Sequence, residues 1–256
     1  MFSNPVPGNV LDVVGIEAGY GRAALVLRGL SLGVPAGTVV CLVGPNGAGK
    51  STVLKVVSGL LAPRAGTVRL HGDDITGLPP QTLLQRGLAY VLQGHSVFGE
   101  MTVAENIHMG AFTLRDKRLI EDRAAMVRDI FPLVAERWRD IAGGLSGGQQ
   151  KMVEVGRALM LDPDIVMLDE PTMGLDPRAS ATVFEQIDLL RHHGTAVLLV
   201  EQNARKALEM ADTGCVLDLG RIAIDGPASE LLANPELGQL YLGGAPRAST
   251  IVGRSP

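Results

Sequence analysis

Apolar residues recur along this chain in two rhythms. Short alternating or continuous apolar runs closed by glycine predict strands: VLDVVGIEAGY (10–20), TVVCLVG (38–44), GTVRLHG (66–72) and GLAYVLQ (87–93). A helix begins inside GKSTVLKVVSGL (49–60), with Leu54, Val57 and Leu61 at helical spacing. From Thr102 to Leu145 the rhythm changes. TVAENIHMGAF (102–112) and RLIEDRAAMVRDIFPLVAERW (118–138) read as amphipathic, charge-rich helices inserted into a strand-rich chain. Alternation then returns. SGGQQKMVEVGRALML (146–161) is a helix, DIVMLD (164–169) a strand, PRASATVFEQIDLLRHHG (177–194) a helix and TAVLLV (195–200) a strand. That succession predicts an α/β fold built on a parallel sheet covered by helices. CVLDLGRIAIDG (215–226) reads as a hairpin, PASELLANPELGQLYLGG (227–244) as two short helices, and 245–256 as a loose tail.

Composition narrows the classes. The 256 residues are 46% apolar and 20% charged, which fits a globular chain able to bury a full core. The net charge of -4 does not favour nucleic acid as the main partner. No apolar run reaches the roughly 18 residues of a membrane span. MFSNPVPGNV shows no signal-peptide pattern, so in a membrane role something else would have to hold the chain there. Cys41 and Cys215 lie in apolar runs and read as buried strand residues rather than a redox pair. The five histidines show no metal-ligand spacing.

GPNGAGKST, from Gly44 through Pro45, Asn46, Gly47, Ala48, Gly49, Lys50 and Ser51 to Thr52, follows a strand and opens a helix. It fits the phosphate-loop pattern in the context that pattern needs. Glycines let backbone N–H groups curl toward phosphate oxygens, and the helix N-terminus adds partial positive charge. Lys50 would reach the terminal phosphates of a bound nucleotide, and the Ser51 hydroxyl can ligate Mg²⁺. IVMLDEP (165–171) ends an apolar strand on two carboxylates. Asp169 is placed to hold Mg²⁺ through its water shell, and Glu170 to accept a proton from an attacking water. LSGGQQK (145–151) precedes a helix. Ser146 and Gln149 form a capping box there, and Gly147 and Gly148 make the same helix start a second anion site.

LSGGQ, IVMLDEP and the phosphate loop together resemble the ATP-binding cassette ATPases, over about residues 10 to 243. The resemblance implies one cassette domain with an N-terminal antiparallel β subdomain. About 10–100 and 160–225 would form the nucleotide-binding core, and about 101–159 a helical subdomain carrying the signature motif and facing the transmembrane partner. The C-terminal helices would span about 226–244. In that family two subunits pack head to tail, so Leu145, Ser146, Gly147, Gly148 and Gln149 would clamp the partner's ATP. Other positions carry over one at a time. Tyr20, otherwise a strand-end residue, would stack on adenine. Gln93 would reach Mg²⁺ and the water and sense the membrane partner. Gly174, Leu175 and Asp176 would form the loop across the dimer interface, although Asp176 also reads as the cap of the following helix.

The family pattern expects a histidine after the next strand, within AVLLVEQNA (196–204), and the matching residue is Gln202. His192 and His193 precede Gly194 at a helix C-terminus and read as end residues favoured by the dipole. VEQNARKALEMAD, ELLANPELGQLYLGG and FGEMTVAENIHMGAF resemble the glutamine-bearing ATPase subunit of uptake systems for branched-chain amino acids, a branch that includes urea and short-amide importers. One departure is Asp176, where that branch often has a small residue. Implied partners are separate permease subunits, a second ATPase subunit (this chain or a sister) and, indirectly, a periplasmic or extracellular binding protein. The expected place is the cytoplasmic face of the inner or plasma membrane. Gln202 donates and accepts hydrogen bonds but carries no charge, so it would keep a positioning role beside the γ-phosphate. Export of lipid or lipopolysaccharide is the alternative on the same fold. A non-transport cassette would be expected to carry two cassettes or a long coiled insertion, and a GTPase an N-K-x-D motif; the chain has none of these.

Overall fold

The computed structural model describes residues 8–21, 24–94 and 96–234. Its strands are β1 (Asn9–Ala18), β2 (Leu27–Pro35), β3 (Val39–Val43), β4 (Ala65–Leu70), β5 (Asp73–Asp74), β6 (Leu88–Val91), β7 (Ile165–Asp169), β8 (Ala196–Glu201), β9 (Thr213–Asp218) and β10 (Arg221–Pro227). The helices are α1 (Lys50–Val57), α2 (Pro80–Gln85), α3 (Val103–Met109), α4 (Lys117–Ile130), α5 (Pro132–Glu136), α6 (Gly147–Leu159), α7 (Pro177–His192), α8 (Ala204–Met210) and α9 (Ala228–Ala233).

Two sheets form. One is antiparallel, in the order β2-β1-β4-β5; the other runs β10-β9-β3-β8-β7-β6. In the second sheet β9, β3, β8, β7 and β6 are parallel, and β10 closes the edge as a hairpin with β9. The period of two in the strands decides what each face meets. Val39, Cys41 and Val43 point into a core shared with α3, α4, α6, α7 and α8. Val40 and Leu42 point into the opposite core, filled by α1 and the antiparallel sheet. β3, β7 and β8 are buried along their whole length, as expected of parallel strands covered on both faces.

Cys41 and Cys215 fall into different cores, on opposite faces of the sheet, and both are free thiols. Burial pushes each thiol from 9.0 up to about 12. Gly214, beside Cys215 in β9, lies under Leu208 of α8 and Leu231 of α9, and a Cβ there would run into both side chains.

Several elements differ from the sequence expectation. RLIEDRAAMVRDIFPLVAERW breaks into α4 and α5, because Pro132 cannot continue a helix and starts the next one instead. α1 ends at Val57, so Leu61 lies beyond it. The LRGLSLGVP strand, β2, is absent from the sequence pattern: it carries Gly29 and Gly33 and alternates less clearly than its neighbours. α2 and α8 are short helices whose patterns are too brief to stand out. Of the two expected C-terminal helices, the first is α9, while the second lies outside the described residues. Among the described residues no helix is long and apolar enough to cross a membrane.

Candidate active site

The parallel strands deliver their C-terminal ends to one edge, where ligands of open α/β sheets bind. β3 leads into the loop 44–49, β6 into Gln93, β7 ends on Asp169 followed by Glu170, and β8 ends just before Gln202. A cleft of about 580 Å³ opens there, lined by Tyr20, Asn46, Gly47, Gly49, Lys50, Ser51, Thr52, Gln93, Glu170, Met173 and Gln202.

The loop is shaped by its glycines. Gly44 has φ +157°, and a Cβ on it would meet the Leu217 carbonyl of β9, so the loop presses against that strand. α1 starts after Gly49 without any side-chain cap, as do the short helices α2, α5 and α9, whereas α3, α4, α6, α7 and α8 have one. Its first N–H groups therefore face the cleft unpaired by a side chain, which suits an anion. Lys50 is 5% exposed, and its ammonium donates to the carbonyls of Gly44 at 2.8 Å and Pro45 at 3.2 Å. A buried cation inside an uncapped helix start fits a polyphosphate.

Next to it lie the groups suited to Mg²⁺. The Ser51 hydroxyl donates to Asp169 Oδ1 at 3.3 Å, and the Tyr90 hydroxyl donates to Asp169 Oδ2 at 3.0 Å. Burial first, and then the Asp169 charge, push the Tyr90 phenol up, so it stays a donor. Among the described residues no group of three acidic, histidine or cysteine side chains could hold a metal. One carboxylate, one hydroxyl and substrate oxygens are a donor set that suits Mg²⁺. Glu170 accepts from Gln93 Nε2 at 3.0 Å, and the same nitrogen lies 3.0 Å from Met173 Sδ. Tyr20 is 47% exposed, its hydroxyl 3.3 Å from Thr52 Oγ1, with the Lys55 ammonium 5.5 Å from its ring centroid.

The other expected residues lie elsewhere. Leu145 to Gln149 are not among the residues that line the cleft. Ser146 caps α6 and Gln149 completes the capping box by accepting from the Ser146 N–H. Gly174 and Leu175 line an adjoining recess of about 370 Å³ with Glu170 and Gln202. Asp176 follows them and caps α7 through Arg178 N and Ala179 N. His192 sits in the last turn of α7 and His193 at its C-cap.

Three features went unnoticed in the sequence. Tyr90 reaches Asp169 across 79 residues. Glu201 is a fully buried carboxylate next to Gln202. Lys151 and Glu154 form a buried pair at 2.5 Å on α6. That pair grips the segment after Gln93: Lys151 Nζ donates to the Gly94 carbonyl at 2.6 Å, and Ser96 N donates to Glu154. Arg157, one turn on, donates to the Ser96 carbonyl at 2.9 Å. The available signals were Glu201 closing an otherwise apolar strand and the i, i+3, i+6 spacing of the three α6 charges.

The family model described as ABC transporter matches residues 27–173. The high-affinity branched-chain amino acid transport ATP-binding protein BraG of Pseudomonas aeruginosa is 42% identical over 225 residues, covering 88% of this chain and 96% of that protein. The chain belongs to the ABC transporter family. Another family member, the probable branched-chain amino acid transport ATP-binding protein LivF of Archaeoglobus fulgidus, is 38% identical over 91% of this chain and 99% of its own length. The lipopolysaccharide export system ATP-binding protein LptB of Escherichia coli is 35% identical over 85% of this chain and 91% of its own. Among solved structures, the ADP conformation of an ATP-binding cassette of an ABC transporter superposes with TM-score 0.83 at 29% identity, over 92% of this chain and 99% of that one. The cassette fold of the family, an α/β core with an added antiparallel sheet, is the fold observed.

Proposed function

We propose that this chain is the ATP-hydrolysing subunit of an importer for branched-chain amino acids or related small polar solutes, working through separate permease subunits. The observation that carries the catalytic part is the convergence of Lys50, Ser51, Asp169, Glu170, Gln93 and Gln202 on one cleft edge. The branched-chain names of the BraG and LivF relatives support the solute class.

In this reading the 44–52 loop and the α1 N-terminus hold the phosphates, Lys50 the terminal ones, and Tyr20 stacks on adenine. Ser51, Asp169 and Gln93 would hold Mg²⁺, which when bound neutralises phosphate charge. Glu170 accepts the proton of the attacking water. Gln202 donates its amide to a γ-phosphate oxygen and orients without charge. Catalysis is then positioning and charge stabilisation, with no covalent intermediate. Leu145 to Gln149 present the α6 start to the ATP of a second subunit, and Gly174 to Asp176 cross that dimer interface. The helical segment, about 101–159, faces the permease. Beside it a groove of about 530 Å³ exposes Leu92, Phe98, Met109 and Phe112, an apolar surface suited to a permease helix. The chain would sit peripherally on the cytoplasmic side of the membrane. The LptB likeness favours lipopolysaccharide export as the second reading.

Steady-state hydrolysis by the assembled complex tests the chemistry. Glu170→Gln is expected to lower turnover by about 10² to 10⁴. Wild-type hydrolysis by Glu170→Gln together with an inactive Gln202→Ala would overturn the assignment of roles. Co-purification from native membranes tests the transport class. Two permeases with a distinct second ATPase favour the importer. Recovery with ribosomes, or with no membrane protein, sinks transport altogether.

A further inference from the structure

β8 closes on a carboxylate for which neither the phosphate loop nor the acidic pair after β7 accounts. Glu201 is 2% exposed. Both of its oxygens are engaged. Oε1 accepts from the Thr172 N–H at 3.0 Å and the Thr172 hydroxyl at 2.8 Å. Oε2 accepts from the Gln202 N–H at 3.2 Å. The three donors come from two segments only: the turn that carries Glu170, and the residue that follows β8. A second tie joins the same segments, since the Glu170 N–H donates to the Val200 carbonyl at 2.9 Å. Glu201 does not line the nucleotide cleft; it lines the adjoining recess with Glu170 and Gln202. Burial pushes its carboxyl above the ordinary range, against the lowering effect of the Thr172 and Gln202 bonds. An apolar residue would close the strand without that desolvation cost, so the carboxylate answers a need other than packing.

We propose that Glu201 is a positioning residue for ATP hydrolysis. It fastens the Thr172 turn and the Gln202 backbone to one carboxylate, so that the side chains of Glu170 and Gln202 keep a fixed separation across the γ-phosphate position. The proposal rests on the reading of Gln202 as a phosphate contact. Its chemistry makes a specific forecast. A glutamine at 201 has one carbonyl oxygen. Turned toward Thr172, that oxygen keeps both Thr172 donors, and the NH₂ then opposes the Gln202 N–H. Glu201→Gln therefore cuts the tie to Gln202 with little change in volume.

The test is steady-state hydrolysis by the full chain assembled with its permeases, with the thermal midpoint measured in parallel. Glu201→Gln is expected to lower kcat about tenfold, the scale of one lost hydrogen bond to a charged group, while the KM for ATP changes less than about twofold. The Glu201→Gln/Gln202→Ala double variant is expected to be no slower than Gln202→Ala alone, since the first residue acts through the second. A purely structural role would instead lower the thermal midpoint and multiply the two losses. Wild-type kcat in Glu201→Gln, or multiplied losses in the double variant, overturns the proposal while the Gln202 reading stands. Wild-type kcat in Gln202→Ala overturns that reading and the proposal with it. If Glu201→Gln fails to fold, Thr172→Val serves in its place, because it keeps the carboxylate and removes one donor. A lower kcat at unchanged KM supports the proposal, and an unchanged kcat overturns it.

Discussion

Glu170 adopts φ +46°, a left-handed conformation that a non-glycine residue holds only when its surroundings enforce it. Its N–H is tied to Val200, its carbonyl accepts from Met173 N at 3.1 Å, and its carboxylate takes the Gln93 amide. The carboxylate is thus aimed by the backbone as well as by its neighbour. Asp169 is aimed differently, by the Tyr90 hydroxyl. Tyr90→Phe should leave Oδ2 without that donor, cost about 1 kcal/mol or more in stability, and raise several-fold the Mg²⁺ concentration for half-maximal hydrolysis. A magnesium titration of the variant checks it. The two thiols give a prediction in pH. Their folded values, about 12, stand above 9.0, so the folded state holds these protons more tightly. Their contribution to stability is fully present below about pH 9 and is lost as pH rises through about 12. Denaturant melts across that window should show stability falling, and iodoacetamide at pH 8 should label neither Cys41 nor Cys215 until the chain is unfolded.

At the scale of elements, α6 carries two functions on one helix. Its N-terminus is capped by Ser146 and Gln149, and its body grips the segment after Gln93 through Lys151, Glu154 and Arg157. The Lys151–Glu154 pair is almost fully buried, with side-chain exposures of 4% and 0%. Removing one partner strands the other charge. Lys151→Met should therefore destabilise the protein by about 3 kcal/mol or more, seen as a lowered denaturant midpoint. Ser146→Ala should cost less, about 1 kcal/mol, by losing the cap alone. Motifs contiguous in the chain were legible in the sequence. The phosphate loop and IVMLDEP each fit within one strand-loop-helix passage, and LSGGQ within one loop-helix passage. Tyr90, and the grip of the α6 charges on the Gly94 and Ser96 backbone, are not, because those partners come from other elements and the residues are ordinary in their own. Glu201 carries little signal of its own, because a strand that closes on a polar residue is ordinary until its Thr172 partner is in place. Pro132 was readable in principle, and the amphipathic rhythm running across it hid the break.

Over the whole molecule, the central sheet separates two cores and gathers the reactive ends at one edge. The strand succession made the parallel sheet legible, since buried β3, β7 and β8 read as continuous apolar runs. β2 was not legible, because its place depends on pairing with β1 rather than on its own pattern. The exposed groove is the whole-molecule feature that a monomer does not need. Phe112, 64% exposed, is its most solvent-accessible aromatic. Phe112→Asp should abolish recovery of permeases on co-purification while leaving the thermal midpoint within a degree or two; retention of the permeases would place their contact elsewhere.

Gly214 has a consequence beyond its own strand. Only a hydrogen atom fits between β9, Leu208 of α8 and Leu231 of α9. α8 begins two residues after Gln202, so the helix seated on that glycine continues directly from the end of β8. The hairpin strand, the last described helix and the residues that follow β8 thus meet around one glycine. Gly214→Ala should therefore displace α8 and α9 together, read as a lowered thermal midpoint.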